Sequence, residues 1–213
     1  MIWDKPLGFN KQLMIELKIM IKETGIMTET MEKITNVNDA EQKALGLYNK
    51  HFNLKTAIRN NDFATDLYNL LQILNIDIMI HSLNELKAFE ELKKLTGKTD
   101  IEGFLLRDDD EYTIVVEESA SMAQKRFTIA HEIAHKMLNH LCDDDRISIS
   151  YKSSLESDEP EEQAANAFAK VLLMPEIVLR HVFTITKDVT RIAESLGVST
   201  SMLKERLNTL EIL

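Results

Sequence analysis

Residues 126–140 read RFTIAHEIAHKMLNH and residues 161–175 read EEQAANAFAKVLLMP. In the first stretch Phe127, Ile129, Ala130, Ile133, Ala134, Met137, Leu138 and, just beyond it, Leu141 are apolar around most of a helix's circumference, so this helix is expected to be buried. Ser121 with Gln124 three residues later has the form of a capping box, and the helix it opens is expected to run to about Leu141. The second stretch starts a helix at Asp158, Pro160 and Glu161 that must stop near Met174, because Pro175 cannot continue it. Its Ala164, Ala165, Ala167 and Ala169 are small enough to let two helices approach closely.

Working outward, helical spacing predicts helices over residues 13–34 and from Ala40 to about Phe52, with the Asn-rich stretch TNVND at 35–39 read as a turn between them. Phe63, Leu67, Leu70, Leu71 and Leu74 mark a further amphipathic helix, followed by alternation at Ile76, Ile78 and Ile80 that predicts a strand. Glu85 to Leu95 reads as a helix closed by Gly97, and Ile101–Arg107 and Tyr112–Glu117 read as a hairpin with a polar turn. From Asp143 to Asp158 runs an acidic, Ser-containing connection. After Glu176 come a short helix (Val189–Leu196), a Gly197 turn and a helix from Ser199 to Leu210, the pattern of a helix-turn-helix. The expected fold class is α+β, mostly helical with a small antiparallel sheet. The expected organisation is a helical N-terminal extension (1–60), a central domain (61–175) and C-terminal helix-turn-helix-like helices (176–213).

Composition narrows the function classes. No apolar run reaches the roughly 18 residues that cross a bilayer, and charges interrupt the first 23 residues where a signal peptide would be apolar, so a cytoplasmic location without membrane contact is expected. The lone Cys142 cannot form an internal disulfide, in keeping with a reducing compartment, and reads as a small apolar residue. A net charge of -10 argues against a main role in gripping phosphate backbones.

The chemistry lies in HEIAH, residues 131–135. Histidines four apart stand one turn above each other and can aim ring nitrogens at one point about 2 Å away, the Zn–N distance. Glu132 sits about 100° round the helix, placed to act on a water beside the ion without displacing it, which suits a general base. A catalytic zinc takes three protein ligands. Glu162 is the candidate for the third, in competition with Glu156, Glu159 and Glu161, which could equally be a solvated helix start. One turn beyond it, Asn166 could fix a ligand histidine through its second nitrogen. His140 lies nine residues past His131, half a turn off the ligand stripe, and reads as structural.

The two stretches together resemble the ImmA/IrrE family of metallopeptidases, over about Ala64 to Leu210. The resemblance implies a zincin-like domain with a gluzincin-like site, one Zn2+ per chain held by His131, His135 and Glu162, and Glu132 activating water. It also implies a role in transcription regulation through cleavage of a repressor that carries a helix-turn-helix domain. Ile133-Ala134 stands where many relatives have Leu-Gly, and both pairs keep a small residue beside the second histidine.

Weaker signals surround this site. The strand with Tyr112, Ile114 and Val116 precedes the metal helix and is expected to hold extended substrate as an edge strand, or else to be a plain sheet strand with Ile114 and Val116 facing the core. Tyr112, Tyr151 and His181 could steady an oxyanion by chemistry alone. Eight carboxylates between Asp143 and Glu162 against Arg146 and Lys152 would attract a basic partner surface, or form a solvated loop. The alternative function is a DNA-binding or repressor-binding regulator with a non-proteolytic metal site. Against DNA contact, residues 176–213 hold five basic and five acidic side chains.

Overall fold

The computed structural model describes residues 32–86, 89, 93, 101–108, 110–141, 147–151 and 157–213. Most of the helices expected over 13–34 and from Glu85 to Leu95, and Cys142, lie outside these residues. The Asn-rich stretch is a helix start rather than a turn between helices. The Asn36 side chain accepts from the N–H groups of Asn38 and Asp39 and caps α1 (Val37–His51). Asn53 and Asp66 cap α2 (Leu54–Asn60) and α3 (Leu67–Ile73) in the same way, and Asn75 at φ 52° turns the chain into β1 (Ile76–His81). A 3-10 turn at Leu83–Glu85 follows.

Strands β2 (Ile101–Asp108) and β3 (Glu111–Glu117) form the expected hairpin. The sheet order is β1-β3-β2-β4, with β4 (Ile147–Tyr151) inside the stretch read as an acidic connection. The sheet is mixed rather than antiparallel: β1 and β3 run parallel, because the second strand of the hairpin and not the first lies against β1. Both faces are covered. Leu105, Ile114 and Val116 join the main core, while Phe104, Leu106 and Val115 join a smaller cluster with Leu83, Leu86 and Phe89. This is the period-two alternation of a strand applied to two apolar sides.

Ser121 and Gln124 exchange side-chain and backbone bonds as a full capping box and open α4 (Met122–Met137). The helix stops short of the expected Leu141, because Asn139 takes the left-handed conformation at φ 60° and the His140 N–H returns to the carbonyl of His135. Pro160 stands in the first turn of α5 (Pro160–Leu173), where its missing N–H costs no bond. Three more helices complete the chain: α6 (Glu176–Ile185), α7 (Val189–Leu196) and α8 (Thr200–Thr209). The sequence reading passes over α2 and α6.

Helix α4 packs on the sheet and on α5, and α5 packs in turn on α1. Ala164, Ala165 and Ala169 are fully buried, as are Ala40 and Ala44 of α1, so small residues bring these backbones close. One apolar cluster runs from α1 through α4 and α5 to Leu203 and Leu207 of α8. Gly103 lets β2 lie directly on α4, since a Cβ there would stand 2.5 Å from Thr128 Cγ2. The α+β class expected from the sequence is the class observed.

Candidate metal centre

Where α4 meets α5, polar side chains enter an otherwise apolar core. His131 and His135 are 1% and 2% exposed, and Glu162, in the first turn of α5, is 6% exposed. His131 Nε2 lies 2.9 Å from His135 Nε2 and 3.3 Å from Glu162 Oε2, and His135 Nε2 lies 3.4 Å from Glu162 Oε1. Ligands bonded at about 2.0–2.1 Å to a tetrahedral ion stand about 3.3–3.4 Å apart, so three corners are already close to that spacing.

The proton arrangement points the same way. Asn166 Oδ1, which can only accept, lies 2.9 Å from His131 Nδ1, so that nitrogen donates and Nε2 is left with its lone pair toward the cluster when the ring is neutral. Two imidazole nitrogens at 2.9 Å and a carboxylate turn their lone pairs on one another unless a shared proton or a metal cation lies among them. Glu162 Oε2 is buried and completes no hydrogen bond. The donor set therefore fits a divalent ion of the kind that imidazole and carboxylate bind. Among the described residues these three alone form a group of potential ligands whose atoms all lie within 4.8 Å of one another.

The electrostatics of the cluster favour positive charge beside Glu162. Burial raises the Glu162 carboxyl, but the two imidazoles beside it outweigh that effect and hold it far below the usual carboxylate range. Burial lowers the His131 imidazolium, and the Glu162 carboxylate more than compensates, leaving it raised. His135 is pushed down to about 4, chiefly by burial, with charge on His131 adding to the effect.

Glu132 is fully buried and close enough to His131 to act on it electrostatically. His140 is not on the helix at all. The turn at Asn139 folds it back so that its Nδ1 lies 2.9 Å from His135 Nδ1 and its Nε2 lies 2.8 Å from the carbonyl of Ile34. Helical spacing could not reveal this contact, because it depends on the helix ending early and on a backbone carbonyl about a hundred residues away.

The expected edge strand is a central one. β3 is paired on both sides, by β1 and by β2, so its backbone has no free row of donors and acceptors for a substrate. Ile114 and Val116 are fully buried in the core, and the Tyr112 ring lies under the Lys136 ammonium at 3.9 Å. Among the described residues the open edge on the α4 side of the hairpin belongs to β4, which pairs only with β2 and touches α4. Its Ile147, Ile149 and Tyr151 alternate in the sequence, a signal submerged by the acids around it. His181 packs its ring on Phe63, 5.8 Å between centroids.

At the C-terminal end, Gly197 takes φ 65° between α7 and α8, and a Cβ there would also stand 2.7 Å from Arg126 Nε. On α8 Leu203, Arg206 and Leu207 face inward, and Arg206 pairs with Glu41 of α1 at 3.2 Å.

The IrrE N-terminal-like domain of peptidase family M78 matches residues 73–208, from the end of α3 through α8. The chain belongs to that family. It is thus a metallopeptidase, and the match takes in both helices that carry the cluster. The M78 region excludes α1, α2 and Ile34. No curated protein matches the chain. No helix among the described residues is long and apolar enough to cross a membrane.

Proposed function

We propose that this M78 peptidase is a zinc-dependent endopeptidase of the cytoplasm, with His131, His135 and Glu162 as metal ligands and Glu132 as general base. The observation that carries the reading is the convergence of two imidazole nitrogens and one carboxylate at 2.9–3.4 Å in a buried interface, with a second buried carboxylate, Glu132, next in sequence to His131. When bound, zinc would supply a Lewis acid that polarises a peptide carbonyl and makes water easier to deprotonate. Glu132 takes the proton of the attacking water and delivers it to the leaving amine. Asn166 holds the His131 ring so that Nε2 keeps its lone pair for the ion. The edge of β4 that no described strand pairs, beside α4, suits an extended peptide held by backbone pairing.

The substrate of this reading is a transcriptional repressor with a helix-turn-helix domain. A non-proteolytic regulator is the competing reading. It has no need of a buried carboxylate one residue after a ligand, and Arg206, one of two basic residues on α8, is turned into the core rather than toward a phosphate lattice. The test is incubation of the purified full chain with candidate repressors, with and without a chelator. Chelator-sensitive fragments that Glu132→Gln fails to produce support the proposal. Binding of the repressor without cleavage by metal-loaded protein would reject it.

A further inference from the structure

The segment 32–36 lies outside the M78 match, yet it is fastened to both helices that carry the cluster. The Ile34 N–H donates to the carbonyl of Leu138 at 3.0 Å, at the end of α4. Lys33 Nζ lies 3.3 Å from Glu161, the neighbour of Glu162 on α5. The Ile34 carbonyl receives His140 Nε2 at 2.8 Å.

The last bond has a consequence two rings away. A carbonyl oxygen only accepts, so His140 Nε2 carries a proton, and a neutral His140 presents the Nδ1 lone pair. That lone pair faces His135 Nδ1 at 2.9 Å, which must then be the donor. His135 is thereby fixed as the Nδ1–H tautomer with its Nε2 lone pair aimed at His131 and Glu162. The ring centroids lie 4.9 Å apart with the planes 69° to each other, a twist about the nitrogen–nitrogen line that such a bond permits. His131 reaches the same state through Asn166, so the two ligand rings are oriented by different devices, one on α5 and one at the N-terminal segment.

We propose that His140 is a positioning residue for the metal site, and that the Ile34 carbonyl, acting through His140 and His135, makes residues 32–36 a working part of the metal centre. This rests on the proposed ligand set. A partner of this kind contributes about 10- to 100-fold in metal affinity.

The experiment uses the full chain and zinc alone, with affinity measured against a competing chelator and folding followed by circular dichroism. His140→Leu should weaken binding by about 10- to 100-fold. His140→Gln, which can accept from His135 with its oxygen and donate to Ile34 with its amide, should recover most of that loss. Ile34→Pro removes the bond to Leu138 and should weaken binding in the same direction by less. In metal-free wild-type protein, nitrogen NMR of the imidazoles should show His140 protonated at Nε2 and neutral His135 protonated at Nδ1. This readout stands even where a variant fails to fold. Unchanged affinity in folded His140→Leu, or His135 protonated at Nε2, would overturn the relay. His135→Ala separates the two levels: if it abolishes binding while His140→Leu does not, the relay alone is wrong, and if it binds zinc like wild type, the ligand set itself is wrong.

Discussion

Helix α5 has two polar faces, and they are built on opposite principles. Toward α4 it presents Glu162 and Asn166 to two buried imidazoles, and the lone pairs there converge with no fixed positive charge to close them. Toward α1 and α8 the charges come in closed pairs, Lys170 with Glu205 at 2.6 Å and, between the helices that flank it, Arg206 with Glu41 at 3.2 Å. The second face pairs its charges, although the buried Arg206 Nε completes no hydrogen bond. The first offers a set of donors that suits a divalent cation. What sets the first face apart is the convergence of several buried lone pairs on one point, and not the burial of polar groups as such.

The comparison breaks most readily on the first face. His135→Ala or Glu162→Ala should abolish stoichiometric zinc binding and with it all cleavage, as read by metal analysis of dialysed protein. Glu132→Gln should keep the metal and lower the cleavage rate by about 10²–10⁴-fold, the usual contribution of a general base. Equal turnover in that variant would remove Glu132 from the chemistry. Because metal binds the folded state, zinc at a thousandfold excess over its dissociation constant should raise the melting temperature by on the order of 10 °C, and a chelator should reverse the rise.

The second face sharpens the contrast. Arg206→Ala strips packing from a buried stem and leaves Glu41, itself about a third exposed, without its partner. It should cost about 1–3 kcal/mol in thermal unfolding while leaving zinc affinity unchanged. A fall in zinc affinity there would show that the two faces are coupled. The smallest effect is expected far from both, at Glu117. Burial alone raises its carboxyl, but hydrogen bonds from Ser119 and the Leu83 N–H prevail and hold it below the usual range. A lowered folded-state pKa stabilises above the unfolded value and is lost as pH falls through the folded one. Glu117→Gln should therefore cost less than about 1 kcal/mol near neutral pH and nothing in strong acid, read from denaturation midpoints across pH.

The legible part of the molecule is the part written in local code. The capping box at Ser121, the apolar circumference of α4, Pro160 and Pro175 around α5, and the αL glycine before α8 each dictate backbone within a few residues, and with the alternation of β1 and the hairpin signal of β2 and β3 they give the α+β class. The spacing of HEIAH likewise contains the geometry of the pair His131 and His135. What escaped depends on contacts distant in sequence. β3 is central because β1 claims its far side, a pairing no hairpin signal encodes. β4 is a short alternation within a run of acids. His140 lay half a turn away only on a helix that continued, and Asn139 ended it.

The central claim is that two imidazoles and one carboxylate hold a single ion with a corner left for solvent. X-ray absorption spectroscopy on the zinc-loaded full chain tests it most directly. The account predicts one zinc per chain with nitrogen and oxygen neighbours only, at about 2.0–2.2 Å, with imidazole scattering that disappears in His135→Ala. A sulfur neighbour at about 2.3 Å, or a spectrum that His135→Ala leaves unchanged, would contradict it.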